Sequence, residues 1–216
     1  MIFTSQALYA LHMLSQQSDL IFNVPLLAKE GEYKDMLKEV LEKGYQDLER
    51  MGLIIENQPS EECASYGFIL KGYHEAKRYV VLNDFTCAVD VDQHKLFTHV
   101  IECVGENEYV LERISKIILL AIWKQGIPLL QKLEDRHQSE ATKEWHTLSL
   151  FRLQTYYSEN DTIQLEYHEY NECTYNRWII DNKTELIEYD ADKEKVRSIS
   201  GEVLRNQLIK WLKVKV

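Results

Sequence analysis

Four side chains that can bind zinc lie within a short stretch of the sequence, at Cys87, His94, His99 and Cys103. Structural zinc sites usually take close ligand pairs at a set spacing, and these four residues do not contain the close Cys–Cys pair of such sites. The pattern therefore favours buried cysteines and surface histidines, and we expect no metal ion here.

Two further groups of side chains could take part in chemistry. His168 and Glu169 stand near Cys173, but neighbouring residues of a strand point to opposite faces, so one metal ion would not easily reach both. Asp90 and Asp92 share a face if their segment is extended, which would suit a carboxylate pair for acid–base chemistry. The alternative is a solvated loop. With 35 acidic residues in the chain, neighbouring carboxylates are expected without any catalytic role.

The motifs that define the common enzyme classes are missing from the sequence. It has no Gly-rich phosphate loop, no Gly-x-Ser-x-Gly turn, no His-Glu-x-x-His and no Cys-x-x-Cys. We therefore predict a protein that is not an enzyme and that holds no cofactor.

An acidic region rich in aromatic residues covers positions 158–195. It holds 11 acidic and four basic residues, a net charge of −7, with five aromatic side chains interleaved among them. Aromatic residues act as anchors at protein interfaces, and surrounding charge steers a partner of opposite sign. We predict that this region binds a protein, the alternative being a half-buried sheet with a charged outer face. The predicted contact residues are Tyr167, Tyr170, Tyr175, Trp178 and Tyr189.

Charge and length exclude several classes of partner and location. The 216 residues carry a formal charge of −10, which opposes binding to nucleic acid and to acidic membrane surfaces. The amino-terminal residues do not have the pattern of a signal peptide, and the apolar run Ile117–Trp123 is shorter than the ~20 residues of a membrane span. We expect a cytoplasmic protein without membrane insertion, with reduced cysteines, and we leave open whether it forms a homodimer.

The first part of the chain has the element order of a winged helix. Thr4 caps a first helix, a short helix is expected at 25–30, and a long amphipathic helix at 32–52 ends at a glycine. A strand at 53–55, a polar loop and a returning strand at 66–70 follow, and a further helix is predicted at 71–83. This order raises a winged-helix transcriptional regulator as the alternative function. The long helix carries four basic and six acidic residues, a net charge of −2, which opposes entry into the DNA major groove.

The rest of the chain predicts an α+β fold with a mixed or antiparallel sheet flanked by helices. A hairpin is expected around Gly105–Asn107, helices from Ile114 and at 128–136, a polar loop at 137–146, and a strand-rich region from Leu148. Ser200 caps a last amphipathic helix. We predict an amino-terminal subdomain at 1–136 and a carboxy-terminal subdomain at 147–216, together forming one body.

Several short segments resemble EspG-like proteins of type VII (ESAT-6) secretion systems, in the branch found in low-GC Gram-positive bacteria. The segments are Phe3–Leu11, Leu20–Pro25, Leu48–Ile54, Arg177–Trp178 and Leu186–Asp190. The likeness extends over most of the chain except residues 126–147. It implies a mixed sheet flanked by helices, with weak two-fold similarity between the halves. It further implies a cytosolic chaperone or adaptor, without catalytic residues, that binds a helical type VII secretion substrate before export.

Overall fold

The structure is a computed structural model that describes residues 1–27, 33–133, 144–148, 150–170, 172–183 and 185–214. Contacts divide the chain into two units. The first comprises Met1–Ala76, Asp84–Val91 and Thr98–Arg113, and the second comprises Lys77–Asn83, Asp92–Phe97 and Ile114–Val216. These units group the chain by contact, and the subdomains at 1–136 and 147–216 remain a prediction.

The described residues form strands and helices that alternate along the chain. In chain order they are β1 (Ile2–Phe3), α1 (Ser5–Leu14), α2 (Tyr33–Arg50), β2 (Ile54–Ile55), β3 (Gln58–Pro59), α3 (Glu61–His74), β4 (Arg78–Leu82), β5 (Phe85–Ala88), β6 (Phe97–Gly105), β7 (Glu108–Ser115), α4 (Lys116–Gly126), α5 (Pro128–Gln131), β8 (His146–Thr147), α6 (Leu150–Glu159), β9 (Asp161–Glu169), β10 (Glu172–Asp181), β11 (Leu186–Asp190), β12 (Lys195–Ile199) and α7 (Gly201–Leu212). The predicted α+β class, with an antiparallel sheet flanked by helices, is confirmed.

Helices α1 and α2 form the helical layer of the first unit. The predicted cap is present, since the Thr4 hydroxyl accepts a hydrogen bond from the Ala7 amide. The two helices approach closely at Gly44, where a Cβ atom would lie 1.9 Å from the Gln6 carbonyl oxygen. A side chain at this position would therefore force the helices apart.

The strands of the first unit follow the order β1-β7-β6-β5. The predicted turn at Gly105–Asn107 joins β6 to β7, and Asn107 takes a left-handed φ of 57°, which asparagine adopts more readily than most residues. The Asn107 side-chain oxygen also accepts a hydrogen bond from the Ser5 amide. The turn is thereby tied to the start of α1.

The strands of the second unit follow the order β4-β9-β10-β11-β12-β8, with antiparallel registers. Helix α7 covers one face, where Trp211 stacks on Tyr167 of β9. Helix α6 covers the other face, where Leu153 packs into a cluster with Ile180 and Ile187. The predicted Ser200 cap is confirmed, because its side chain accepts from the Val203 amide.

Three predicted elements are wrong. Residues 66–70, expected as a returning strand, lie in α3, and the helix expected at 71–83 ends at His74 before β4 begins. The strand expected from Leu148 is helix α6 from Leu150 onwards. The apolar and aromatic residue types of these segments suit a strand, whereas buried Cys63, Gly67, Leu70 and Tyr73 of α3 recur at the three- to four-residue spacing of a helix.

Two further predictions fall partly on residues outside the described ranges. Of the helix expected at 25–30, residues 25–27 are not helical, and residues 28–32 are not described. Of the helix at 128–136, the structure describes α5, and most of the polar loop at 137–146 lies outside the described residues. None of the described helices has the length together with the apolar composition that crossing a bilayer would require.

Candidate functional site

Helix α4 carries apolar side chains on both of its sides. Leu119 and Trp123 are buried within the second unit, while Ile117, Ile118 and Ile122 are 64%, 55% and 42% exposed. Ile118 and Ile122 are four positions apart and lie on the same side of the helix, and Ile117 lies on the adjoining side. We call these three residues, Ile117, Ile118 and Ile122, the α4 face.

A cavity of about 230 Å³ lies on the inner side of α4, between it, the α5 segment and α7. Its walls are mainly apolar, and two cationic side chains, Lys124 and Arg205, also line it. The lining residues are Leu120, Trp123, Lys124, Leu130, Leu133, Arg205, Leu208 and Ile209. Gly201 at the start of α7 permits this packing, because a Cβ there would lie 2.5 Å from the Leu133 carbonyl oxygen.

The cavity lining combines apolar side chains with two cationic ones. Among the described residues that line it there is no carboxylate, histidine or cysteine. Apolar walls with a few charged groups suit the apolar side chains of another molecule that also carries negative charge. The α4 face comprises three neighbouring exposed isoleucines, and contiguous exposed apolar residues are typical of interaction sites.

The aromatic residues predicted as a contact surface divide between the two faces of the second unit's sheet. Tyr167 and Tyr175 are partners across β9 and β10 and lie against Trp211, at ring-centroid distances of 5.2 and 4.6 Å. Both tyrosines are therefore half-buried beneath α7. They support α7 and offer a partner little of their ring surface.

The other three predicted contact residues differ in exposure. Trp178 lies 4.8 Å from the Tyr157 ring of α6, and Tyr189 packs against the apolar cluster around Leu153. Tyr170, after the end of β9, is 64% exposed. Four of the five residues thus lie in one sheet but on different sides of it, Tyr170 lies in the turn after β9, and their binding to a partner remains a prediction.

Much of the acidic charge in this region is paired within the sheet. Glu188 is buried and accepts hydrogen bonds from the Tyr175 hydroxyl at 2.6 Å and from Arg197 Nε at 2.6 Å. Asp190 is also buried and pairs with Arg177 at 2.8 Å. Burial, reinforced by the Glu188 carboxylate, raises the pKa of Tyr175, so its hydroxyl stays protonated and keeps donating. The negative charge available to a partner is smaller than the sequence total suggests.

The four residues that could form a zinc site in the sequence, Cys87, His94, His99 and Cys103, lie in different environments. Cys87 and His99 are buried, Cys103 is half-buried, and His94 is exposed. Burial raises the pKa of the Cys87 thiol far above its usual range, which disfavours the thiolate that a metal binds.

His168 and Cys173 do lie close together, with Glu166 rather than Glu169 as the nearby carboxylate. Glu166 and His168 point to the same face of β9 and approach to 2.7 Å, while Glu169 pairs with Arg78 at 2.7 Å. The hydrogen bond from His168 lowers the pKa of Glu166. Of the remaining acidic candidates, Asp92 accepts a hydrogen bond from the Phe97 amide in a loop.

The basic residues of α2 for which side chains are described are paired with acidic residues of the same helix. Lys38 lies 3.8 Å from Glu42, Lys43 lies 2.9 Å from Glu39, and Arg50 lies 3.0 Å from Asp47. A recognition helix must offer its cations to phosphates and base edges. The pairing therefore weakens the case for DNA binding by α2.

The exposure of the α4 face could not be predicted from helical spacing alone. Ile118 and Ile122 stand at helical spacing with Ile114 and Ala121, which indicates an apolar side but not which side is buried. The signal that could have found it is that α4 is apolar on nearly all sides, a pattern typical of a helix that is covered all round.

Comparison with known proteins gives a match to one family model, described as "Domain of unknown function (DUF5081)", which spans residues 2–216. No protein of curated function matches the chain.

Proposed function

The chain belongs to the DUF5081 family, and we propose that it is a non-enzymatic adaptor of the cytoplasm that binds an amphipathic helix of an exported protein. The observation that carries the proposal is the α4 face, three isoleucines held exposed on a rigid helix. The resemblance to EspG-like proteins supplies the kind of partner, a helical type VII secretion substrate held before export.

The geometry of α4 supports a helix as the ligand. The pair Ile118 and Ile122, with Ile117 beside it, fits the apolar stripe of a second helix, which presents residues at i, i+3, i+4 and i+7. Burying three half-exposed isoleucines contributes roughly 2–4 kcal/mol before the costs of association. Association costs roughly 4–15 kcal/mol, so the partner must also bury apolar surface of its own and contact residues beyond the three isoleucines.

Charge favours a partner helix with acidic residues beside its apolar stripe. Lys124 and Arg205 carry positive charge at the cavity next to α4, although the chain as a whole is acidic. Local cations within an acidic molecule select the orientation of a partner more than they add affinity. Tyr170 lies in the acidic region 158–195. If it also contacts the partner, as predicted, the partner needs a basic segment in addition to the helix that binds at α4.

The test replaces Ile118 with a photoreactive amino acid in the native host and identifies the cross-linked segment. The expected product is an amphipathic helix of a secreted protein, and export of that protein should fail when the gene is deleted. Ile118→Glu should then weaken binding of the purified segment at least tenfold, because a buried carboxylate loses its hydration. The measurement is the dissociation constant by calorimetry together with export in the complemented strain.

The matched control is Ile55→Glu, since Ile55 is 59% exposed on β2, outside α4. It should leave both binding and export unchanged. Equal losses in the two variants, or full export in the deletion strain, would contradict the proposal. If Ile118→Glu instead converts a purified dimer to a monomer, the α4 face pairs two copies of this chain.

A further inference from the structure

Three side chains that bind metals converge in the first unit. His12 lies near the end of α1, Asp19 in the following segment, and His74 at the end of α3. Asp19 Oδ1 is 3.7 Å from His12 Nε2 and 3.1 Å from His74 Nε2, and one donor atom from each residue lies within 4.8 Å of the others. The sequence gives no sign of this cluster, because 55 residues separate Asp19 from His74.

His12 has the properties of a ligand rather than of a core residue. The side chain is 1% exposed, and among the described residues neither ring nitrogen has a hydrogen-bond partner within 3.5 Å, Asp19 Oδ1 lying 3.7 Å from Nε2. A buried polar group without a partner is costly unless something else satisfies it.

The surrounding residues hold the three donors in place. The Tyr9 hydroxyl donates to the Val24 carbonyl, and the Tyr73 hydroxyl donates to the Phe22 carbonyl. These two bonds fix the segment that follows Asp19 to α1 and α3. The helices themselves meet closely, since a Cβ at Gly67 of α3 would lie 2.7 Å from the Ser15 side-chain oxygen.

We propose that His12, Asp19 and His74 bind one divalent transition-metal ion, with Zn²⁺ the best fit, and leave a fourth position for water. Bond lengths of 2.0–2.2 Å in a tetrahedral zinc site place neighbouring donor atoms about 3.3 Å apart. The distances of 3.7 and 3.1 Å to Asp19 bracket this value. Two imidazoles and one carboxylate are a donor set that zinc takes in proteins, and Asp19 is 69% exposed, so solvent reaches the site.

The cluster of Glu166, His168 and Cys173 in the second unit is the weaker metal candidate. His168 and Glu166 already bond to each other at 2.7 Å, and the Cys173 thiol donates to the Tyr175 carbonyl. Burial and the Glu166 carboxylate raise the pKa of Cys173, so the thiolate that zinc requires is disfavoured. These donors are satisfied without an ion.

The experiment titrates Zn²⁺ into the chelator-treated full-length protein by calorimetry, and follows Co²⁺ by the intense visible absorption of four-coordinate cobalt. The expected result is one ion per chain and a rise in the midpoint of thermal unfolding as Zn²⁺ is added. His74→Gln and Asp19→Ala should each weaken the affinity at least tenfold. Both positions are more exposed than His12, so these variants keep the fold while they remove one ligand.

Two control variants separate this site from other donors. His94→Gln changes an exposed histidine, and His168→Gln changes the second cluster, and both should retain the full affinity. The proposal is overturned if the protein takes up no Zn²⁺ at micromolar concentration, or if His74→Gln and Asp19→Ala bind as the unchanged protein does. Loss of binding in His168→Gln would equally overturn it. None of these outcomes depends on the adaptor function.

Discussion

Arg177 of β10 links two buried carboxylates of β11. It lies 2.8 Å from Asp190 and 3.7 Å from Glu188, and its guanidinium also sits 4.6 Å from the centre of the Tyr175 ring. The side chain is 12% exposed, and those of the two acids are 1% and 2% exposed. At this depth the two carboxylates have lost their hydration, and their charged partners must compensate for that loss.

We predict that Arg177→Met lowers the free energy of unfolding by about 3 kcal/mol, because it leaves buried negative charge uncompensated. The matched control is Lys193→Met, which removes another cation from the same Asp190. Lys193 is 3.7 Å away and 69% exposed, so the loss should stay below about 1 kcal/mol. Urea unfolding followed by circular dichroism measures both, and equal losses would show that Arg177 is not needed as the counter-charge.

Single residues could be predicted from the sequence where their role is local. The Thr4 and Ser200 caps follow from residue type and position in a helix, and both are confirmed. The half-buried state of Tyr167 and Tyr175 depends on Trp211, which is more than 30 positions further along the chain. The convergence of His12 with His74 depends in the same way on how α1 packs against α3.

Two glycines in helices show how closely elements can approach. Gly44 of α2 faces the backbone of α1, whereas the position of a Cβ at Gly126 of α4 has no heavy atom within 4 Å. Both glycines lie inside or at the end of a helix, and neither has a positive φ. Alanine would therefore improve helix propensity at both sites, but its side chain has room only at Gly126.

We predict that Gly44→Ala lowers the free energy of unfolding by about 1–3 kcal/mol, because the Gln6 backbone cannot rotate away as a side chain would. Gly126→Ala should instead be neutral or raise it by up to about 1 kcal/mol. Thermal and urea unfolding of the two variants measure the difference. A Gly44→Ala protein as stable as the unchanged one would mean that α1 and α2 are further apart than in this structure.

The elements that were predicted correctly are those whose structure is indicated by their own residues. The Gly105–Asn107 turn and the amphipathic pattern of α2 are examples. The errors at 66–70 and 150–159 occur where aromatic and apolar residues suit both a strand and a helix. At 66–70 the helix is favoured by the cap that Ser60 provides, and at 150–159 by the packing of α6 on the sheet. In neither segment does residue propensity alone decide between helix and strand.

At the scale of the whole molecule, charge separates the adaptor from the alternative of a DNA-binding regulator. The net charge is −10, and Lys38, Lys43 and Arg50 of α2 are paired with acids of the same helix. Binding to DNA draws its affinity from cations that displace the counterions of phosphates. The predicted winged-helix order lacks its returning strand, since residues 66–70 lie in α3, and the charge of α2 does not provide the field that DNA requires.

We predict that the purified protein does not retard duplex DNA in a gel, even at roughly 50 mM salt, where binding to phosphates is strongest. The assay uses genomic fragments over a range of protein concentrations. Retardation that weakens steeply as salt increases would contradict the adaptor and favour the regulator. Retardation that does not depend on salt would indicate aggregation rather than phosphate contacts.

The placement of the indole side chains has a consequence for spectroscopy. The four tryptophans, Trp123, Trp145, Trp178 and Trp211, all belong to the second unit, and the first unit has tyrosine and phenylalanine as its aromatic residues. Emission excited at the red edge of protein absorption therefore originates in the second unit. A fluorescence change on binding a helix at α4 and a silent response to metal at His12 would distinguish the two events in one sample without a label.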